Sequence, residues 1–200
     1  MDRGRFIAYE GVDGAGTTTQ AQALVEALEG LGRRAHYTRE PSDLPVGTHI
    51  RRILRRELEP GASEAALAAL FAADRLDHLD REIRPALAGG VTVVCDRYVM
   101  SSLAYQGVMT GDAEWVAALN REAPPPDLTV LLDISAPEGA RRRAQRDGED
   151  TERYDVDATQ TAVATAYRDL AQAAGALILD GTRPRAELTQ AVLEALERLP

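Results

Sequence analysis

The sequence predicts a three-layer α/β fold: a five-stranded parallel sheet with helices on both faces and a short mobile lid, in one domain spanning 1–200. Three observations carry that prediction. Short apolar or β-branched runs alternate with helical patterns along the whole chain, the signature of a parallel sheet with crossover helices. The first run passes into a glycine-rich stretch and then a helix. Polar and charged residues gather just after the strand-like runs, where ligands bind in open α/β sheets.

In chain order, the first strand is Phe6 to Glu10. A helix from Thr18 to Leu31 follows, with Ala21, Leu24, Val25, Leu28 and Leu31 on one face and Gly30 and Gly32 to end it. The second strand is Ala35 to Thr38. A short helix then turns Ile50, Ile53, Leu54 and Leu58 inward. Ser63 caps a long helix carrying Leu67, Leu70, Phe71, Leu79, Ile83 and Leu87. Pro85 should kink its last turn or end it early, and Gly89-Gly90 stops it.

Val91 to Cys95 is apolar or β-branched throughout and suits a buried parallel strand. Helices from Ser101 to Gly107 and from Asp112 to Glu122 lead to the rigid turn Pro124-Pro125-Pro126-Asp127 and a fourth strand, Leu128 to Asp133. Ser135 and Pro137 read as cap and first turn of a helix that carries Arg141-Arg142-Arg143 into a polar stretch, the lid at about 141–156. A helix from Asp157 to Ala174, a fifth strand from Ala176 to Leu179 and a helix from Pro184 to Leu199 complete the chain.

Composition narrows the function. Two hundred residues, 44% of them hydrophobic, can build one full core. No apolar run approaches the length of a membrane-spanning helix. The first residues lack a secretory leader pattern, and Cys95 alone cannot form an internal disulfide, so a cytoplasmic protein is expected. A net charge of −9 argues against a nucleic-acid polymer as partner. Small anions remain open, because cations cluster locally. All 23 basic residues are arginine; there is no lysine.

Gly11-Val12-Asp13-Gly14-Ala15-Gly16-Thr17-Thr18-Thr19 has the spacing of a phosphate-binding loop between strand and helix. Its glycines let the backbone approach phosphates, and its amides and the helix dipole point at them. Thr18 stands where the motif's hydroxyl reaches Mg²⁺, but Thr17 occupies the place of the usual lysine. At the strand ends lie Asp13, Arg39, Asp96, Arg97 and Asp133. Asp96 closes a buried strand, the position of a Mg²⁺-organising carboxylate. Arg39 and Arg97 offer forked donors for phosphate oxygens. Two phosphate-reading arginines beside the loop imply a second phosphorylated ligand, and so phosphoryl transfer between nucleotides.

Over nearly its full length the chain resembles the thymidylate kinase family. The resemblance rests on Phe6 to Gly16, Thr38-Arg39-Glu40-Pro41, Leu70-Phe71-Ala72-Ala73-Asp74-Arg75 with His78, Asp96-Arg97-Tyr98, Ser101 to Gly107, and Pro126-Asp127-Leu128 with the arginine-rich lid. It implies a nucleoside monophosphate kinase with a phosphate-binding loop, making dTDP from dTMP with ATP and Mg²⁺, and commonly a homodimer. By the same resemblance Phe71 stacks on thymine, Arg75 reaches a base carbonyl, and Arg39 and Arg97 hold the dTMP phosphate. Tyr105 lies against the sugar, and Ser101 and Gln106 lie beside base or sugar. Asp13 sits between the sugar hydroxyl and the transfer centre and, with Thr18 and Asp96, near the metal. Arg142, Arg146 and Arg153 approach the ATP phosphates from the lid. Two departures stand out: Thr17, and Ser42-Asp43 where the family has glycines after Glu-Pro. Thr17 keeps a competing reading open, a catalytically weak nucleotide-binding relic; a kinase for another nucleoside monophosphate is the third.

Overall fold

The computed structural model describes residues 3–58, 61–147 and 157–199, with the side chains of 146, 147, 157 and 158 excepted. Five parallel strands form one sheet: β1 (Phe6–Glu10), β2 (Ala35–Arg39), β3 (Thr92–Asp96), β4 (Leu128–Asp133) and β5 (Leu177–Asp180), in the order β2-β3-β1-β4-β5. β1 lies in the middle, with Ile7 in register with Val94 on one side and Leu128 on the other. The chain leaves β1 toward one edge and later returns to build the other, so the ligand crevice opens at the carboxyl end of β1.

Side-chain alternation along β1 and β3 feeds two cores. Ile7, Tyr9 and Val94 join a cluster with Leu24 and Leu28 of α1 (Thr17–Gly30). Phe6, Ala8, Val93 and Cys95 join another with Leu79, Ile83 and Leu87. Every residue of β1 and β3 is buried, which explains why both strands read as runs of apolar or β-branched residues apart from the terminal Glu10 and Asp96.

The other helices follow the sequence pattern, with instructive differences. α2 (Pro45–Leu54) starts on Pro45 and stops at Leu54, because Arg56 turns left-handed at φ 57°. Leu58 therefore lies beyond the helix, though it still packs on the core. Ser63 caps α3 (Glu64–His78), accepting the Ala66 N–H at 3.2 Å. Pro85 does not end the helix. A π turn, Leu79–Ile83, precedes it and leads into α4 (Arg84–Ala88). Proline has no N–H for the preceding turn, and the wider turn absorbs that missing bond.

α5 (Val99–Thr110) is followed by α6 (Ala113–Leu119), which ends about a turn before Glu122. There Asn120 turns its side chain back onto the Val116 carbonyl at 2.8 Å. α7 (Ala136–Asp147), α8 (Asp157–Ala174) and α9 (Arg185–Glu197) complete the described elements. β3 and β5 each sit one residue later than the sequence suggests, ending on Asp96 and Asp180.

Candidate active site

The loop after β1 takes a shape that glycine permits. Gly14 and Gly16 have φ of 88° and 92°. Gly16 is the N-cap of α1 and supplies no side-chain cap, so the first amides of the helix are left for an anion. α7 lies directly against the loop. A Cβ on Gly14 would come 2.5 Å from the Gly139 carbonyl oxygen, and one on Gly139 would come 2.6 Å from that of Asp13. This backbone contact brings two arginines to the loop. Arg143, 9% exposed, donates to the Asp13 carbonyl at 2.8 Å. Arg142 donates to the Gly181 carbonyl at 3.1 Å and reaches the Ala15 carbonyl at 3.5 Å. Thr17 is buried at the start of α1, Thr19 is exposed beside it, and Val12 and Ala15 anchor the loop in the core.

Thr18 donates its hydroxyl to Asp96 Oδ2. The other oxygen, Asp96 Oδ1, is buried and has no hydrogen-bond partner among the described residues. Such an atom is costly unless something binds it. A hydroxyl and a carboxylate converging beside a phosphate loop form an all-oxygen donor set that suits Mg²⁺. The residues present therefore fit that ion.

Asp13 is the junction of the site. Arg97 Nη2 donates to its Oδ1 at 2.6 Å and Gln160 Nε2 to its Oδ2 at 3.3 Å, while its own N–H donates to the Tyr105 hydroxyl at 3.1 Å. Both carboxylate oxygens thus have protein partners. Arg97 sits at φ 71°, a left-handed conformation that costs a non-glycine residue about 1 kcal/mol or more. Its guanidinium is tied down by the Gly11 carbonyl (2.7 Å) and the Tyr167 hydroxyl (3.0 Å), and it lies 5.5 Å from the centre of the Tyr105 ring. Ser101 touches Tyr167 at 2.7 Å and donates to Glu10 Oε2 at 2.5 Å. Glu10 also accepts the Tyr98 N–H at 3.0 Å. Burial raises the Glu10 carboxyl to about 7, against the opposing pull of Ser101, Arg97, Arg75 and the Tyr98 amide.

Beside this junction lies a cavity of about 140 Å³. Asp13, Phe71, Arg75, Arg97, Ser101, Tyr105 and Gln106 all line it, so one chamber collects residues from the loop, α3, the end of β3 and α5. Glu40, Pro41, Leu54, Tyr98 and Ser102 also line it. Arg75 is only 1% exposed and held on every side. Its Nε and Nη2 donate to Glu40 Oε2 at 2.8 and 2.7 Å, and its Nη2 also reaches the Tyr98 carbonyl at 3.1 Å. Its Nη1 donates to Asn120 Oδ1, and both Nη atoms share Ser102 Oγ at 3.2 and 3.1 Å.

Arg39 does not line the cavity. It is exposed at the end of β2, beside Asp96 in the sheet register, and pairs with Asp43 at 2.8 Å. Asp133 is occupied by Arg168, which donates at 2.9 and 3.0 Å. Ser42 explains one of the two departures. It is buried and bound to Asp74 through both its N–H (2.7 Å) and its hydroxyl (2.5 Å). Of Arg146 only the backbone within α7 is described, and the outer lid with Arg153 lies outside the described residues.

Sequence reasoning missed Glu10, Glu40, Arg143, Gln160 and Tyr167. Glu10 and Glu40 stood beside recognised residues, and for Glu10 a charge closing a buried strand was the available signal. Gln160 and Tyr167 come from α8, far along the chain, and had no local signal.

A glycine-rich loop at the switch point of a doubly wound sheet, opening onto a second chamber walled by arginine, serine and aromatic side chains, defines a nucleotide phosphotransferase of the nucleoside monophosphate kinase class. Residues 9–192 match the family model described as thymidylate kinase. The chain is 40% identical to the thymidylate kinase of Pelotomaculum thermopropionicum over 98% of its length and 94% of that protein's. It is 47% identical to a probable thymidylate kinase of Pyrococcus horikoshii over 70% of each chain, and 37% identical to one of Pyrobaculum calidifontis over 96% of each. The chain belongs to the thymidylate kinase family. These relatives favour an enzyme over a nucleotide-binding relic.

Proposed function

We propose that this chain transfers the γ-phosphoryl group of ATP to the 5′-phosphate of dTMP, giving ADP and dTDP, and that it works in the cytoplasm as a homodimer. The observation that carries the reading is the position of Asp13. Its backbone belongs to the phosphate loop, while its side chain holds Arg97 and its amide holds Tyr105, both on the wall of the second chamber. Donor and acceptor sites thus meet at one residue.

Catalysis is then positioning and charge stabilisation. The loop amides and the N-terminus of α1 receive the ATP phosphates. Arg97 turns from Asp13 toward the acceptor phosphate, its guanidinium fixed from behind by the Gly11 carbonyl. An acceptor phosphate oxygen attacks the γ-phosphorus in line, and the bond to the ADP oxygen breaks. Thr18 and Asp96 would hold Mg²⁺, which neutralises charge on the ATP phosphates. Phe71, Tyr105 and Gln106 enclose the base and sugar.

Purified protein with ATP, Mg²⁺ and a panel of monophosphates tests this. dTMP should exceed dCMP, dGMP and AMP in kcat/KM by about a hundredfold or more, since a site built to hydrogen-bond one base leaves buried groups unpaired with another. Equal turnover of dTMP and dCMP would sink the assignment.

A further inference from the structure

Behind the acceptor chamber runs a line of polar groups that phosphoryl transfer does not use. It starts at Arg75, whose guanidinium pairs with Glu40 Oε2 at 2.7 Å. The other oxygen, Glu40 Oε1, faces His78 Nδ1 at 3.3 Å. His78 Nε2 meets Thr38 Oγ1 at 2.8 Å and Glu82 Oε2 at 3.5 Å. Glu82 Oε1 in turn meets His36 Nε2 at 2.8 Å, at an open surface cavity. The His78 side chain is 0% exposed and that of Glu40 3%. The π turn begins on the residue after His78 and carries Glu82 back beside it. Such turns are frequent at functional sites.

Charges alternate along this line: guanidinium, carboxylate, imidazole, carboxylate. The groups that face His78 come from several elements. Glu40 faces it from the segment after β2, Thr38 from β2, Cys95 from β3, Glu82 from the π turn and Asp74 from its own helix. Burial alone would lower the His78 pKa, but the Glu40 bond and the charges of Glu40, Glu82 and Asp74 outweigh it and hold it above its ordinary value. The protonated ring has two donors, one for Glu40 and one for the Thr38–Glu82 side. Glu40, His78 and Cys95 lie close enough to suggest a metal cluster. However, both ring nitrogens already have partners, and the Cys95 thiol donates to the Arg97 carbonyl at 3.0 Å. The group is a hydrogen-bond line, not an open cation cage.

We propose that His78 is a positioning residue for base recognition, holding Glu40 so that Glu40 fixes the Arg75 guanidinium on the floor of the acceptor chamber. The proposal rests on the assignment of that chamber to the acceptor base. Ser102 Oγ is shared by two Arg75 nitrogens, so one of them can turn to a base carbonyl while the Glu40 pair stays intact. A guanidinium held this way presents donors only. It welcomes a carbonyl on the base and rejects an amino group at the same place, because a misplaced donor leaves buried groups unpaired.

The test compares two amide replacements. His78→Asn sets an amide nitrogen near the place of Nδ1 and keeps the donor to Glu40. His78→Gln sets one near Nε2 and loses it. KM for dTMP in His78→Asn should stay within about threefold of wild type, while in His78→Gln it should rise about tenfold, with KM for ATP within about twofold in both. The preference for dTMP over dCMP should fall in parallel in His78→Gln. Equal behaviour of the two variants, or both substrates' KM rising together with a lowered Tm, would make His78 merely structural and overturn the proposal. Failure of the acceptor assignment shows separately, as a wild type without preference for dTMP, and takes the proposal with it.

Discussion

Replacing Glu10 by glutamine should remove a pH-dependent strain from the fold. Glu10 closes the central strand, fully buried, and accepts the Tyr98 amide and the Ser101 hydroxyl. Burial raises its carboxyl from 4.5 to about 7. In the unfolded chain it ionises at its ordinary value. The folded state therefore holds a proton that the unfolded state has lost between those two values, and stability falls as pH rises through that window. The contribution is complete below the unfolded pKa and gone above the folded one. At roughly 1.4 kcal/mol per pH unit the window amounts to about 3 kcal/mol. Glutamine can accept from the Tyr98 amide and donate to Ser101 Oγ, so the fold should survive. Urea unfolding of wild type and Glu10→Gln at steps between about pH 4.5 and 8.5 reads the effect. Groups common to both proteins cancel in the difference. The wild type's stability relative to the variant should drop by about 3 kcal/mol across that range and then level off. A difference that stays flat with pH would refute the assignment of this carboxyl.

Three further outcomes follow from the site. Arg97→Lys should lower kcat/KM for dTMP at least about tenfold with little change in KM for ATP, because an ammonium cannot reproduce the planar fork that holds the Gly11 carbonyl and a phosphate together; steady-state kinetics in both substrates checks it. Asp96→Asn should shift the Mg²⁺ concentration for half-maximal rate upward by about tenfold or more, since the orphaned Oδ1 loses its charge; a Mg²⁺ titration of the rate reads it directly. Arg143→Gln should weaken ATP binding by about tenfold while Arg143→Lys stays near wild type, because either cation can donate to the Asp13 carbonyl and the charge is what glutamine removes; calorimetry with ATP and the purified variants decides.

Much of this architecture was legible because the relevant physics is local. β1 and β3 are buried on both faces, so apart from their terminal carboxylates their sequences are apolar or β-branched and stand out as strands. Ser63 caps its helix through a bond three residues away, which a sequence can display. The misplacements have equally local causes that were harder to weigh. The left-handed Arg56 cut α2 short of Leu58, and Asn120 ended α6 by folding onto Val116. At Pro85 the rule about a missing N–H was right, and of the two outcomes expected, a kink or an early end, the helix did not end but widened into a π turn before the proline.

The chemistry was legible only where a motif carries it. The loop is fixed by spacing and the aromatic positions by the family resemblance, and Phe71 and Arg75, four apart on one helix, do reach one chamber. What spacing cannot show is who else holds a residue. Arg75 reads in sequence as a free donor aimed at a ligand. In the fold it is bound to Glu40, to Tyr98 and Ser102 at the start of α5, and to Asn120, from three separate segments. Asp13 reads as a carboxylate for metal or sugar, yet Arg97 and Gln160 occupy its oxygens.

The missing lysine shows the same limit from the other side. Thr17 removes a charge from inside the loop, and the lid arginines that the family resemblance brings to ATP would close over it from in front. The described structure points behind the loop as well. In the proposed ATP site the loop's amides take the phosphates and its carbonyls face away, and two of these carbonyls, on Asp13 and Ala15, are met by Arg143 and Arg142. A cation on the carbonyl of one peptide polarises that peptide's N–H, as coupled hydrogen bonds strengthen one another. The approach requires both Gly14 and Gly139, because a methyl group on either would drive the helix off the loop. Positive charge can therefore reach the phosphates through the backbone, and the residues that permit it are two glycines that carry no charge at all.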